Sequence, residues 1–468
     1  MFKAPKSVIL SGKEVLPIIE GGKGIAVSNG RSAGAFAAAG AVGTFSGVNG
    51  DSYDENGEVI PQIYKKGSSR KERFAQLIQY GIAGGIAQAK IAHEHSKGNG
   101  RIFMNTLWEA GGAQDIIKGV LEGAKGLIHG VVCGAGMPYK LAEIASQHKV
   151  WYYPIVSSSR AFRILWLRAY SKASDFLGGV VYEDPWRAGG HNGLSNAENP
   201  LEPQDPYERL KELRAFMNKV GLNETPIIIA GGVWSLSDWQ DYIDNPEIGP
   251  VAFQMGTRPM LTKESPVSQS WRNILRNLKE GDVGLNRFSP TGFWSSAIKN
   301  SFLKELIERS KHQIFFKEQS QEEYNTELKV GGAKSEPVFV KPEDYAKAEQ
   351  WQKDGLNKIV RTPDDSILFL TKEKAKEIRI DQAECMGCLS HCMFSSWATN
   401  EENSTGKIPD PRSYCIQKTL QNIAHGGEAD KNLAFAGHAA YRFKDDPLYK
   451  DGKESSVAEF IKGIMQGL

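Results

Sequence analysis

Pro226-Ile-Ile-Ile-Ala-Gly-Gly-Val-Trp-Ser235 and Val251-Ala-Phe-Gln-Met-Gly-Thr257 decide the fold. Each is a short, continuously apolar run that ends in glycine. A run without polar alternation suits a strand buried on both faces, as in a parallel sheet. Glycines just past a strand let backbone N–H groups turn tightly and close on an anion. Ser235 then opens a helical pattern, residues 235–243. In a (β/α)8 barrel, the loops after strands seven and eight are the usual phosphate site. Either glycine loop alone serves equally as a tight turn; the two together, in these two places, point to a phosphate.

Six similar runs precede them: Val15-Leu-Pro-Ile-Ile19, Ala41-Val-Gly-Thr-Phe45, Ile102-Phe-Met-Asn105, Leu127-Ile-His-Gly-Val-Val132, Val150-Trp-Tyr-Tyr-Pro-Ile155 and Phe176-Leu-Gly-Gly-Val-Val181. Helical patterns at residues 70–95, 114–124, 140–148, 161–171 and 206–220 separate most of them. From the third run to the sixth the repeat is about 25 residues, the size of one β/α unit. Eight runs predict an α/β fold, a closed (β/α)8 TIM-type barrel over residues 1–310, with an open doubly wound sheet as the alternative. Beyond Ser310 the chain turns charged and irregular, through Val330-Gly-Gly-Ala-Lys-Ser335. A smaller, α-rich C-terminal region carrying a cysteine cluster is expected over residues 311–468, with a last helix at 456–465.

With 40% hydrophobic and 24% charged residues, the 468-residue chain has the composition of a soluble globular protein. A net charge of +2 gives no electrostatic footprint for nucleic acid. Met1-Phe-Lys-Ala-Pro5 lacks a signal pattern, and the bland stretch 33–48 is too short to span a bilayer. A cytoplasmic protein with no membrane partner is expected.

Two intervals break the β/α rhythm. Residues 47–69 are polar and turn-rich, a lid or a surface insertion. Residues 186–204 extend the sixth connection and contain Ala188-Gly-Gly-His-Asn-Gly193. Loops at the C-terminal ends of barrel strands carry the chemistry. His191 therefore stands out, because imidazole exchanges protons near neutral pH; packing or turn-capping is its alternative role. His129 and Cys133 read as core residues. The aromatic stretch Phe288-Ser-Pro-Thr-Gly-Phe-Trp-Ser-Ser296 either covers the barrel mouth or packs in the core.

Four of the five cysteines lie in the C-terminal region. Cys385-Met-Gly-Cys388-Leu-Ser-His-Cys392 has the spacing C-x2-C-x3-C, and Cys415 follows. Closely spaced thiolates grip three corners of a [4Fe-4S] cubane while a distant cysteine supplies the fourth. Four cysteines equally suit tetrahedral Zn, with His391 as a substitute ligand.

Ile229-Ala-Gly-Gly-Val233, Gln254-Met-Gly-Thr-Arg258 and Thr262-Lys-Glu-Ser265 together resemble the nitronate monooxygenase (2-nitropropane dioxygenase) family, which includes the FMN-dependent enoyl-ACP reductases. Pro17-Ile-Ile-Glu-Gly-Gly22 with Val27-Ser28, Gly43-Thr-Phe45, Asn105 and Ala188–Gly193 match in the family's order. The resemblance implies non-covalent FMN, with Gly21, Gly22 and Asn105 at the flavin ring. Gly190, Gly231, Gly232, Gln254, Gly256 and Thr257 would then lie along the phosphate and ribityl chain, and His191 would be the base or a substrate-orienting group. Many members carry methionine where this chain has Lys23. A cation there would favour the anionic reduced flavin or bind an acidic substrate, unless it points to solvent. The cysteine spacing after an FMN barrel is similar to that of the dienoyl-CoA reductase type of flavoenzyme, although the last gap is longer here. The activities implied are oxidation of nitronate or nitroalkane-like substrates with O2, or iron-sulfur-assisted FMN reduction of an activated alkene or a modified base. The reductase would draw on an electron-donor protein or NAD(P)H. A non-catalytic redox sensor is the third option, and a homo-oligomer is compatible with each.

Overall fold

The structure, a computed structural model, describes residues 2–25, 27–48, 53–54, 56–331 and 335–468. Parts of the turn-rich 47–69 interval and of the 330–335 stretch thus lie outside the described residues. Eight parallel strands close into a barrel. They are β1 (Ile18–Glu20), β2 (Val42–Ser46), β3 (Arg101–Leu107), β4 (Gly130–Gly134), β5 (Trp151–Val156), β6 (Val180–Glu183), β7 (Ile227–Ala230) and β8 (Val251–Met255). Each pairs with its neighbours in sequence, and β8 pairs with β1 to close the ring.

The first expected run is two elements. Lys13–Val15 pairs antiparallel with Val8–Leu10, and β1 begins after Pro17, which has no N–H to offer a ladder. This hairpin plugs the barrel's N-terminal end: Leu10 and Val15 pack with Ile19, Phe103, Val132 and Ile228 of the interior. Arg101 clamps the turn by donating to the Ser11 carbonyl at 2.9 and 3.1 Å. The sixth run shifts to Val180–Glu183, because Ser174–Phe176 is a 3-10 turn and two glycines precede the strand. Residues 236–242 form 3-10 turns with a break at Trp239, not a regular helix.

Alternation along the strands decides what reaches the mouth. Phe103, Tyr153, Val181, Ile228 and Ala252 fill the interior, while Val180, Tyr182, Ile227 and Ile229 face the surrounding helices. The residues two positions on, Asn105, Ile155, Glu183, Ala230 and Gln254, form the top interior layer.

Beyond the barrel the chain is mixed rather than α-rich. Gln313–Phe315, Ser366–Leu370 and Lys358–Arg361 make an antiparallel sheet, and Thr326–Leu328 pairs with Val338–Val340. Apolar runs flanking the Pro363-Asp-Asp365 turn carry that strand signal. These elements have their own core of Ile314, Phe316, Val340 and Phe369. From Tyr414 onward the chain returns to the barrel: Leu420, Ile423, Leu433, Phe443, Phe460 and Ile464 join one core with Phe36, Trp234 and Trp271. No helix among the described residues is long and apolar enough to cross a membrane.

His129, just before β4, accepts the Ile102 N–H on Nδ1 at 3.0 Å. Burial, then the Arg101 charge, lowers its pKa to about 4. The unfolded chain therefore takes up a proton between the ordinary histidine range and pH about 4 that the folded chain refuses. Stability is full above about pH 6.5 and is lost as pH falls below it, by up to 1.36 kcal/mol per pH unit for one such group. His129→Asn, which keeps an acceptor, should flatten the pH dependence of the urea midpoint in that window. An unchanged slope would refute the assignment.

Candidate functional site

A cavity of about 870 Å³ opens at the C-terminal ends of the strands. It is within the size range of cofactor sites. Gly21, Gly22, Lys23, Asn105, Gly190, His191, Gly231, Gly232, Gln254, Gly256 and Thr257 all line it. The loops after β7 and β8 thus share one space with the loop after β6.

Gly231 and Gly232 have φ of +84° and +79°, a left-handed backbone that non-glycine residues enter at a cost of about 1–2 kcal/mol each. A Cβ on Gly231 would stand 2.8 Å from the Asp184 backbone, and one on Gly232 would stand 2.9 Å from the Arg187 side chain. A Cβ on Gly256 would meet nothing within 4 Å and would fill cavity space. The two loops form a bare backbone cradle, which is what a phosphate needs.

Gly22 is tied to Asn105: a Cβ there would lie 2.2 Å from Asn105 Cβ. Gly22→Ala should cost about 1–3 kcal/mol, the usual range for overpacking. Adding Asn105→Gly should recover much of it. A double-mutant cycle on urea midpoints checks this; purely additive losses would sink the contact.

Lys23 is turned neither to solvent nor freely into the cavity. Its Nζ donates to the Gly21 carbonyl at 2.8 Å and pairs with Glu20 at 3.2 Å, where the two side chains are 12% and 2% exposed. Glu20 also accepts from Ser32 Oγ at 2.6 Å, so the carboxylate is well satisfied.

His191 sits on a two-residue strand, Gly190–His191, paired with Ser295–Ile298. Its Nε2 and Ser289 Oγ share a hydrogen bond of 2.6 Å, and Phe435 stacks edge-on at 5.6 Å. Burial lowers its pKa to about 4, so the imidazole is neutral at neutral pH. The stretch 288–296 leads into the partner strand, and Thr291, Gly292, Phe293 and Trp294 line the cavity. It covers the mouth.

Sequence reasoning missed two walls. Phe435, Ala436, Gly437, Ala439 and Ala440 line the cavity beside the loop after β8, and Gly437 donates its N–H to Thr257 Oγ1 at 2.8 Å. The run of small residues in Ala434-Phe-Ala-Gly-His-Ala-Ala440 was the available signal. Ile416, Gln417 and Leu420 form the other wall, beside Cys388 and Leu389. Glu183 on the floor was also missed.

The cysteine loop docks on the turn after β3. Gly111 donates to the Cys388 carbonyl at 3.0 Å, Ser390 donates to the Glu109 carbonyl at 2.7 Å, and Ala110 bridges to Leu389. The Cys392 thiol donates to Cys385, lowering the latter's pKa to about 6, and Ser395 Oγ adds a bond of 2.9 Å. Backbone N–H groups of Gly387, Gln417 and Lys418 point at the sulfurs of Cys385, Cys388 and Cys415 respectively. The sulfurs act on one another electrostatically, so the four side chains share one neighbourhood. Among the described residues, no group of three or more His, Cys, Asp or Glu stands in metal-ligating geometry. Cys133 is buried, and burial pushes its thiol well up, in keeping with an unreactive core residue.

No known protein family and no curated protein matches the chain by sequence. Its fold is similar to that of the enoyl reductase domain of MlnA from the macrolactin biosynthesis cluster of Bacillus amyloliquefaciens, at 12% identity and a TM-score of 0.53, over 96% of this chain and 93% of that one. FabK from Thermotoga maritima aligns at 14% identity and a TM-score of 0.48, over 96% and 92%. Nitroalkane oxidase from Streptomyces ansochromogenes aligns at 15% identity and a TM-score of 0.43, over 62% and 78%.

Proposed function

We propose that this chain is an FMN-dependent oxidoreductase of the nitronate monooxygenase type. The observation that carries the reading is the bare cradle of Gly231-Gly232 and Gly256-Thr257 with His191, all facing one cavity of flavin size. Bound FMN supplies hydride or single-electron transfer. The chain's own residues bind its phosphate on backbone N–H groups and seat the ring against Gly21, Gly22 and Asn105. Neutral His191, held by Ser289, accepts the proton of a nitroalkane-like substrate. The experiment is the visible spectrum of purified protein reconstituted with FMN. Flavin bands that survive gel filtration support the reading, and a colourless protein overturns it.

A second reading is favoured by the cysteine loop, because Cys388 and Leu389 line the same cavity. Here Cys385, Cys388, Cys392 and Cys415 hold a [4Fe-4S] cluster and the FMN site is a reductase of an activated alkene or a modified base. The shared neighbourhood of the four sulfurs and the N–H groups aimed at them support a cluster, although no three of them stand in ligating geometry; Zn is the alternative occupant. The enoyl reductase domain that shares the fold makes the alkene the substrate to try first. Anaerobic preparation with iron, sulfide and zinc analysis separates the occupants. Reoxidation kinetics with O2, with and without a nitroalkane, separate oxygenase from reductase.

A further inference from the structure

Glu183 ends β6, opposite Ala230 of β7. Val181, two residues earlier, packs in the barrel interior, and Val180 and Tyr182 face outward. Alternation therefore directs the Glu183 side chain inward, one layer above Val181, and it lines the floor of the cavity. Its companions there are Gly21, Asn105, Ile155, Ala230 and Gln254, so Glu183 is the ionisable member of this layer.

A carboxylate in such a place needs a cation or several N–H donors, and Glu183 has neither among the described residues. Lys23, which lines the same cavity, is held by Glu20. His191 is neutral at neutral pH. On the adjoining turn Asp184 carries a like charge, and Arg187 is outside, 3.6 Å from Asp184 with a half-exposed side chain. The flanking strands β5 and β7 present Ile155 and Ala230, which are apolar. Burial first, then Asp184, raises the Glu183 pKa to about 8.

We propose that Glu183 contacts the flavin from the barrel floor as a neutral carboxylic acid, donating its O–H to a heteroatom of the ring. This inference rests on FMN occupying the cavity. A carboxylic acid can donate where a carboxylate can only accept. Ionised Glu183 has no proton to donate and would bury an unpaired charge against the lone pairs of that heteroatom, so FMN binding requires the protonated form. The sign follows: affinity is constant below the pKa of the free site and falls as pH rises through it, by about tenfold per pH unit once the acid is ionised.

Two measurements on the full chain test this. In the first, FMN dissociation constants are measured by fluorescence quenching at about pH 7 and about pH 9.5 for wild type and Glu183→Gln, with circular dichroism confirming the fold at both. Wild type should weaken by roughly tenfold or more, and the glutamine variant, which stays neutral, by less than about twofold. In the second, the infrared difference between apo wild type and the variant should contain a protonated-carboxyl C=O band at neutral pH. That band should vanish at the alkaline pH. An identical pH dependence in the two proteins, with FMN bound, overturns this inference alone, as does absence of the band. Failure of wild type to bind FMN at any pH overturns it together with the proposed function, and failure of the glutamine variant alone overturns this inference alone.

Discussion

Replacing Asp446 by alanine is expected to destabilise the chain by about 3–5 kcal/mol, the cost of leaving a buried charge without its partner. Asp446 and Arg258 are 0% and 1% exposed. They meet through two parallel bonds, Arg258 Nε to Oδ2 at 2.6 Å and Nη2 to Oδ1 at 3.0 Å. The guanidinium also donates to the Trp234 carbonyl at 2.5 Å and to the Leu468 main-chain oxygen at 2.7 Å, and lies over the rings of Trp234 and Phe460. Without Asp446 it stays buried there without its carboxylate partner, and the Leu448 N–H loses its acceptor as well. Because Arg258 directly follows Thr257, disturbance at this pair reaches the loop proposed to hold the phosphate, and retention of the proposed flavin should fall in parallel. Urea unfolding measures the stability change. Replacing both partners by apolar residues, as in R258M/D446L, should recover part of the loss. A change below about 1 kcal/mol in the single variant would mean that the pair behaves as an exposed one.

The second large effect is on turnover. His191→Ala should bind FMN with unchanged spectra and lose about 10²- to 10⁴-fold in kcat, the usual contribution of a positioned proton acceptor. His191 must be neutral to accept a proton, and burial holds its pKa at about 4. The wild-type rate should therefore show no acid limb near the ordinary histidine range, and should fall only as the pH approaches about 4. Ser289→Ala removes the partner on Nε2 and should cost less, because Phe435 and the strand pairing still hold the ring. Unchanged turnover in His191→Ala would refute the role outright.

What could be read in the sequence follows from range. Parallel strands buried on both faces print as continuous apolar runs, and the loops proposed to hold the phosphate print as glycines, Gly231 and Gly232 where a Cβ has no room and Gly256 where it would enter the cavity. Both signals are local. Pro17 broke a run whose composition still looked like one strand. Glu183 lies beyond the apolar run that ends at Val181, and which face it takes depends on register, so that a shift of one residue would send it outward. Gly437 meets Thr257 across a separation of 180 residues. No period in the chain announces such a contact. The cysteine spacing was legible, but its docking on the β3 turn was not.

The late return of the chain to the barrel also sets an order of events during synthesis. All eight strands have been made once Met255 is out, yet the wall that runs from Phe435 to Ala440 and the Asp446 clamp are still to come. At about 5–20 residues per second, a ribosome needs roughly ten seconds or more to add them. For that interval the nascent barrel carries an open, half-lined mouth and exposed apolar surface that Phe443, Phe460 and Ile464 later cover. A chain stalled before Phe435 would therefore hold all eight strands and still lack this wall of the cavity.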